Sequence, residues 1–232
     1  MKKLRRSNLS SDAYTFIREL FLNNKGYNPG DKISVEKLSR ELGVSRTPLW
    51  GAINRLEAEG VVEVIPRMGV YLIDYDVDRM LDIFLAREAL EGMVARIAAE
   101  KITDKEIEGL RANIEQQKKH IHERQLDQYY RVALEFHETL ARIAGSHTLD
   151  KMIASLFAQI RAMRVQRNYS PMHLPQSCDD HKKILDALAK RDADAAEREA
   201  RLHIRDLAEE IRRLVVVDNS DVRRGAQRRR TT

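Results

Sequence analysis

The sequence has little of what disulfide-stabilised or membrane-spanning proteins require. Cys178 is the only cysteine among 232 residues, which excludes an internal disulfide and a zinc site built from several cysteines. No apolar run approaches the roughly 18 residues that cross a bilayer. The basic start is not followed by the apolar segment of a secretion signal. We therefore expect a cytoplasmic protein without a membrane partner.

Aromatic residues are also scarce, at 6% of the chain, whereas aliphatic residues, Ala, Glu and Arg are abundant. This balance favours helices over a large sheet. A chain of this length can form two modest domains, each with a hydrophobic core of its own. We therefore look for two mainly helical domains.

The net charge of +5 is unevenly distributed along the chain. Residues 1–75 carry 12 Lys and Arg against 9 Asp and Glu, and residues 218–232 carry 5 against 2. The middle, residues 76–217, is nearly balanced at 24 against 25. Local positive charge fits a contact with nucleic acid by one domain. An ordinary solvated surface explains the charge distribution equally well.

The first 75 residues have the pattern of a winged helix-turn-helix. Helical spacing over residues 10–23 is followed by two short helices that meet at Gly43. Ser34 is a suitable N-cap for the first short helix. The second starts at Ser45-Arg46-Thr47-Pro48, with Pro48 at its first helical position, and stops at Gly60. Two β-rich runs, Val61–Ile65 and Val70–Ile73, then predict a hairpin with Pro66-Arg67-Met68-Gly69 at its tip.

Beyond a linker at residues 74–76 the pattern is helical throughout. Thr103 with Glu106 predicts a capping box, Gly145 a helix end and Asp192 an N-cap. The predicted fold is mainly α, with the winged helix-turn-helix in residues 1–75 and an all-α bundle of about six helices in residues 76–217. We predict that the basic tail, residues 218–232, is disordered. The predicted bundle helices are 77–101, 104–123, 126–144, 148–169, 178–190 and 193–217.

A winged helix-turn-helix reads DNA with the N-terminal end of its second helix, because the major groove of B-DNA admits one helix. Arg46 suits bidentate contacts to guanine or a phosphate contact, and Ser45 and Thr47 can donate to phosphate oxygens. Trp50 and Asn54 follow one and two turns along the same helix. Arg67, beside Gly69 at the hairpin tip, is a candidate for a minor-groove or phosphate contact. These residues predict double-stranded DNA as a partner.

The same residues resemble the GntR family of bacterial regulators. The resemblance rests on Gly43 to Leu49, on Arg55 to Val62 and on the wing, Pro66 to Tyr71, and covers nearly all of residues 10–75. Members usually continue the recognition helix with an Arg-Glu pair, whereas Trp50 and Gly51 stand here. We infer a changed contact rather than a lost function. Trp50 either touches a sugar or a thymine methyl, or packs against the wing.

The second half resembles the FCD effector domain of the FadR-type subfamily, over roughly residues 77–212. The similar segments are Arg87 to Glu91, Phe136 to Ala141, His181 to Leu185 and Leu202-His203. The resemblance implies that His137, His181 and His203 bind a divalent metal, with Zn or Ni suited to imidazole nitrogen. The family's fourth ligand is an Asp one turn before the first His, where this chain has Ala133. Glu135 projects from another helix face and does not replace it.

With three imidazoles, positions on a metal remain for water or for an effector carboxylate. We expect the missing carboxylate to weaken metal affinity and to reduce the negative charge of the site. The resemblance also implies a small organic acid as effector, with Arg87 facing its carboxylate. A pair between Arg87 and Glu91 is an equal alternative. Arg164 and Arg167 share a helix face and are further candidates to line the effector cavity.

These features predict a ligand-responsive regulator, by resemblance a repressor, that binds a pseudo-palindromic operator as a homodimer. Two other functions fit parts of the sequence. A three-histidine metal hydrolase would use the open coordination of its metal, but it gives the helix-turn-helix no role. A helical interaction module with a vestigial winged helix would show no preference for any DNA sequence. The regulator accounts for both halves of the chain.

Overall fold

The computed structural model describes residues 6–22, 26–167 and 174–228, and within them the protein is mainly α-helical, as predicted. Among these residues, every helix is too short or too polar to cross a bilayer. The elements in chain order are α1 (Arg6–Leu22), β1 (Lys32–Ile33), α2 (Val35–Leu42), α3 (Arg46–Ala58), β2 (Val62–Ile65), β3 (Gly69–Leu72), α4 (Val77–Lys101), α5 (Asp104–His122), α6 (Leu126–Ala144), α7 (His147–Arg167), α8 (Leu174–Ala189) and α9 (Ala193–Arg228).

The chain forms two compact units. Unit 1 consists of Met1–Asp76 together with Phe157–Tyr169, and unit 2 consists of Val77–Leu156 together with Ser170–Thr232. The helix α7 therefore contributes its first half to unit 2 and its second half to unit 1. Unit 1 contains the helix-turn-helix and the hairpin, and unit 2 contains the predicted helical bundle.

Local capping defines the helix-turn-helix. The Ser34 hydroxyl accepts a hydrogen bond from the Lys37 backbone, and Gly43 ends α2 in the left-handed conformation at φ 62°, where a side chain would be strained. α3 begins at Arg46, so Pro48 is its third residue rather than its first. This shift is tolerated because the N–H groups of the first helical turn have no intrahelical partner for proline to remove.

The sheet has three antiparallel strands in the order β1-β3-β2. β2 and β3 form the predicted hairpin, with each strand beginning one residue away from the predicted position; the register pairs Val64 with Val70. β1 was not predicted, because two residues carry no detectable alternation. It pairs Ile33 with Val70 and buries Ile33 in the core of unit 1.

Unit 2 is built on α4 and α9. Gly92 of α4 is buried, and a Cβ atom there would lie 2.6 Å from the Arg201 side chain of α9, so the missing side chain allows the two helices to approach. The predicted boundaries of α4 and α6 agree with the structure. The Thr103–Glu106 capping box and the left-handed Gly145 at the end of α6 are confirmed. The Asp192 carboxylate accepts from Ala195 N at 2.9 Å, as predicted for a cap.

α9 ends later than predicted. It continues to Arg228 rather than stopping at residue 217, so the tail that we predicted to be disordered has a helical backbone as far as Arg228. Extending a helix that has already formed costs little, because each added residue contributes a backbone hydrogen bond without a new nucleation step. Residues 229–232 of the tail lie outside the described residues.

Candidate functional site

The N-terminal end of α3 lies on the surface of unit 1. Ser45, Arg46 and Thr47 are all exposed, and so are Trp50 and Asn54 further along the helix. Residues 46, 50 and 54 are four apart, so they share one face of the helix. The opposite face, with Leu49, Ala52, Ile53 and Leu56, is buried in the core of unit 1. The packing of α3 therefore directs the polar residues outward.

Arg46 forms an ion pair that does not bury it. Its Nη2 lies 2.9 Å from Oε1 of Glu36 on α2, and the two side chains are 69% and 68% exposed. Ion pairs between exposed side chains contribute about 0–1 kcal/mol. Trp50 keeps 39% of its surface exposed, which leaves its ring accessible to another molecule. The leading end of the helix is thus available for contacts.

The tip of the hairpin is also exposed. Arg67 adopts φ 64°, a left-handed conformation that an arginine rarely adopts. Met68 beside it is 57% exposed. Gly69 has φ 123°, a value that disfavours any side chain, and a Cβ atom there would also lie 3.0 Å from Lys32 Cε. The turn thus presents Arg67 to solvent at the end of the wing.

The three predicted histidines come together inside unit 2. His137 lies on α6, His181 on α8 and His203 on α9, and their exposed fractions are 7%, 1% and 2%. Each can offer a nitrogen, and these atoms all lie within 4.8 Å of one another. We searched the described residues for histidine, cysteine and acidic side chains close enough together to hold a metal ion, and these three histidines form such a group. We call it the histidine cluster.

Aromatic stacking orients the rings. His181 stacks on Phe136, with ring centroids 4.5 Å apart, and His137 stacks on His203 at 5.3 Å. The Nε2 atoms of His137 and His181 lie 3.0 Å apart. These two nitrogens therefore face each other within the cluster.

The other ring nitrogens point outward to polar side chains. His137 Nδ1 lies 2.6 Å from Glu91 Oε2, and His181 Nδ1 lies 2.8 Å from Gln117 Oε1. His203 Nδ1 lies 3.6 Å from Asp180 Oδ2, longer than a direct hydrogen bond. Each imidazole thus has an acceptor atom on its Nδ1 side. This is the outer arrangement that orients histidine ligands in metal sites.

Burial and neighbouring charges set the protonation of the cluster. Burial, reinforced by His203, His137 and Arg87, lowers the pKa of His181 well below its usual value. Burial also lowers the pKa of His203, although the nearby Asp180 opposes this shift. Both rings are therefore neutral at pH 7, which is the form that binds a metal.

The two neighbouring carboxyl groups remain ionised. Burial alone would raise the pKa of Glu91, but the charges of Arg87 and His137 outweigh it and hold this pKa at about 2. Burial would likewise raise the pKa of Asp180, but the nearby His203 ring, together with hydrogen bonds from Lys183 and Gln176, holds this pKa at about 2. The cluster therefore has two carboxylates beside it.

Two family models match the chain. The bacterial regulatory proteins of the gntR family match residues 9–72, and the FCD domain matches residues 82–206. The chain belongs to the GntR family. This GntR-family regulator combines the winged helix-turn-helix with an FCD domain, as the sequence resemblance implied. The family gives the winged helix a role in transcription, which the hydrolase hypothesis did not.

Curated relatives of this GntR-family chain carry regulator names. It is 30% identical over 194 residues to the HTH-type transcriptional repressor RspR of Escherichia coli strain K12, covering 83% of this chain and 84% of that protein. It is 28% identical over 221 residues to the Uxu operon regulator of Haemophilus influenzae, covering 85% and 81% of the two chains.

Solved structures share the fold of this GntR-family chain. One is Lar, which controls the expression of the Listeria monocytogenes agr system. Its TM-score is 0.67 at 23% identity, with 92% of this chain and 100% of that chain covered. Another is E. coli McbR/YncC, with a TM-score of 0.62 at 19% identity and coverage of 92% and 98%.

The cluster of this GntR-family chain fits a divalent cation in its donor chemistry. It offers three buried imidazoles, two of them neutral, with acceptors on their outer nitrogens. Ala133, the position at which the sequence resemblance implied an Asp ligand, packs partly buried against Tyr129, Leu174 and Cys178. Glu135 projects elsewhere, as predicted, and pairs with Arg131 at 2.9 Å. The carboxylates near the cluster therefore come from α4 and α8 instead.

The predicted effector residues Arg87 and Arg164 belong to different units. Arg87 is buried, and its Nε donates to Glu91 Oε1 at 2.6 Å, which is the pairing that the sequence left as an alternative. Arg164 lies in the segment of α7 that belongs to unit 1. The side chain of Arg167 lies outside the described residues. Effector binding by these arginines stays a prediction.

Sequence reasoning missed the polar residues that surround the histidines. Asp180 and Gln117 drew no attention, and Glu91 was considered only as a partner of Arg87. One signal was present for Gln117, which occupies a position of the apolar stripe of α5 after Ile107, Leu110 and Ile114. A polar residue in a core position indicates a buried hydrogen bond.

Proposed function

We propose that this GntR-family regulator binds a pseudo-palindromic DNA operator as a homodimer, represses transcription and releases or retains DNA in response to a small organic acid. The observation that carries the proposal is the exposed N-terminal end of α3, with Arg46 at its tip. A buried leading end would exclude entry into a groove. Exposure of Ser45 and Thr47 beside it supports further contacts with phosphate oxygens.

The exposed side chains of α3 support a base contact by Arg46 and contacts with the DNA sugar-phosphate backbone around it. Arginine makes bidentate hydrogen bonds to guanine, and the exposed pair with Glu36 is weak enough for DNA to compete with it. Trp50 replaces the family's usual arginine and offers an apolar face to a thymine methyl or a sugar. Asn54 is suited to adenine. Arg67 on the wing adds a minor-groove or phosphate contact.

We expect Arg46→Ala to weaken binding to the operator by about 1–3 kcal/mol, because a bidentate base contact is lost. The operator would first be selected from random DNA with the wild-type protein, and affinity would then be measured by fluorescence anisotropy at one salt concentration. Arg111→Ala, at an exposed arginine of α5, is the matched control and should bind DNA like the wild type.

Two outcomes would contradict this placement of the recognition helix. One is an Arg46→Ala protein with unchanged affinity and sequence preference. The other is a wild-type selection without any enriched sequence, which is what a vestigial winged helix predicts.

A homodimer would place two recognition helices in successive major grooves. An apolar row on α4 supports a two-fold interface: Leu85 is 66% exposed, Met93 is 39% exposed, and the exposed Ala89 lies between them. These residues are four apart and share one helix face. Exposed rows of this kind mark interaction surfaces.

We expect Leu85→Asp to raise the dimer dissociation constant at least about tenfold, because a carboxylate would enter an apolar interface. Sedimentation velocity over a concentration series measures this change. Leu126→Asp is the control, since Leu126 is 41% exposed and lies at the start of α6, off the α4 row. A wild-type monomer at all concentrations, or equal effects of the two variants, would refute the α4 interface.

The histidine cluster is the proposed sensing site, and His137, His181 and His203 are the residues that would hold a divalent cation such as Zn or Ni. A cation held by three imidazoles supplies open positions that attract a carboxylate. Arg87 and Glu91 lie beside His137 and connect the cluster to α4. Recognition of a small organic acid, the class that the family resemblance implied, would use the open positions of the cation.

Effector binding regulates DNA occupancy only if the effector favours one relative placement of the two winged helices in the dimer. A ligand with equal affinity for both arrangements changes nothing. The proposal that the protein represses transcription is supported by its 30% identity to a protein named as a repressor. To test this control, the effector is added to the protein–DNA complex and release of the operator is measured.

A further inference from the structure

We propose that Gln117 is a positioning residue that selects the tautomer of His181 and thereby prepares the histidine cluster for a divalent cation. This inference rests on the proposed metal site. Gln117 is fully buried in unit 2, at 0% exposure, in a position that would otherwise hold an apolar side chain of α5. A buried amide destabilises the fold unless its polar atoms have partners. Its partners therefore define its role.

A directed chain of hydrogen bonds fixes the orientation of this amide. The backbone carbonyl of Val132 can only accept, and it accepts from Asn113 Nδ2 at 3.0 Å. Asn113 therefore turns its Oδ1 toward Gln117, which donates from Nε2 at 2.7 Å. The remaining atom of the Gln117 amide, Oε1, must then face His181. A backbone atom on α6 thus determines which end of Gln117 the histidine meets.

Gln117 Oε1 accepts hydrogen bonds and cannot donate them. His181 Nδ1, 2.8 Å away, must therefore carry the proton. In a neutral imidazole the other nitrogen then has a free lone pair, and here that nitrogen is Nε2, which lies 3.0 Å from His137 Nε2 inside the cluster. The lone pair is what a metal requires. The opposite tautomer would place a proton between His181 and the cation.

Cys178 reinforces this arrangement. Its Sγ lies 3.5 Å from the same Gln117 Oε1, within range of a thiol hydrogen bond to the second lone pair of the carbonyl. The thiol keeps its proton at pH 7, since burial raises its pKa to about 11. Both neighbours of the oxygen are therefore donors, which disfavours a flipped amide. These hydrogen bonds distinguish Gln117 from a residue that only packs in the core.

The test compares Gln117→Leu and Gln117→Glu with the exposed control Gln116→Leu. Zinc affinity is measured by competition with a chelator, and the His181 tautomer is read from long-range 1H–15N NMR spectra recorded without metal. We expect Gln117→Leu to lose the pure Nδ1–H tautomer and to bind zinc about 10–100-fold more weakly. Gln117→Glu keeps an acceptor, so it should retain the tautomer and recover most of the affinity. The control should match the wild type.

A second variant covers the case in which Gln117→Leu does not fold. Asn113→Ala removes the residue that orients the amide but leaves Gln117 in place, and Asn113 is only half-buried. It should give a mixture of His181 tautomers and an intermediate loss of zinc affinity. Folding of each variant is checked by circular dichroism.

The possible failures are distinguishable. Wild-type protein that binds no zinc refutes the metal site, and the preparation of that site by Gln117 falls with it. A folded Gln117→Leu or Asn113→Ala protein with a pure Nδ1–H tautomer and wild-type zinc affinity overturns only the role of Gln117. The tautomer spectrum decides this second question independently, because it needs no metal.

Discussion

Replacing Glu91 with leucine should lower the free energy of unfolding by about 3–5 kcal/mol, which is the usual effect of removing one partner from a buried ion pair. Arg87 and Glu91 are each only 5% exposed at their side chains, and their contact of 2.6 Å joins successive turns of α4. Without the carboxylate, the buried guanidinium loses the negative charge that lies 2.6 Å from its Nε. Urea unfolding followed by circular dichroism, in protein stripped of metal, measures the change.

The chain contains a matched control for this variant. Arg131 and Glu135 form the same type of pair, four residues apart on α6, but their side chains are 63% and 45% exposed. Glu135→Leu should therefore change stability by no more than about 0.5 kcal/mol. The double variant Arg87→Leu with Glu91→Leu should recover much of the loss, since neither charge of the pair is then left buried without the other. Equal effects at Glu91 and Glu135 would contradict the prediction.

Replacing His137 with alanine should weaken zinc binding by more than about 100-fold, beyond the effect of losing an outer-shell partner, because a ligand atom itself disappears. We expect wild-type protein to retain about one zinc per chain after dialysis and the variant to retain almost none. Elemental analysis by plasma mass spectrometry gives both values. His122→Ala, at an exposed histidine on α5, is the control.

The same protein samples test the sensing role. If the metal contributes to effector binding, His137→Ala should also lose affinity for the organic acid, whereas His122→Ala should not. A wild-type protein without stoichiometric metal, together with unchanged effector affinity in His137→Ala, would mean that the histidine cluster only packs the core of unit 2.

Two carboxylates lie beside the histidine cluster that the sequence analysis did not connect with it. Glu91 and Asp180 are ionised and lie near the outer nitrogens of His137 and His203. They lie on α4 and α8 rather than on α6. The sequence analysis compared residues one helical turn apart on α6, and such a comparison cannot identify carboxylates that other helices supply. The expectation that Ala133 reduces the negative charge of the site stays a prediction.

Helix boundaries were predictable wherever a residue type had a local reason to end a helix. Gly43 and Gly145 adopt left-handed conformations, and Thr103 forms its capping box with Glu106. The pairing of β1 with β3 was not predictable, since it joins Ile33 to Val70 across much of unit 1. Predictions failed where the outcome depended on distant partners or on the low cost of extending a helix, as in the tail of α9.

The amino-acid order alone determined the helix ends at Gly43 and Gly145 and the capping box at Thr103, which faces are apolar, and that a polar, arginine-bearing end follows the turn at Gly43. These properties depend on neighbours within a few residues. Only the tertiary structure decided that His137, His181 and His203 meet, and that Glu91, Gln117 and Asp180 face their outer nitrogens. A buried polar atom takes its partner from whichever helix packs beside it, and that choice is made by the packing of segments far apart in the chain.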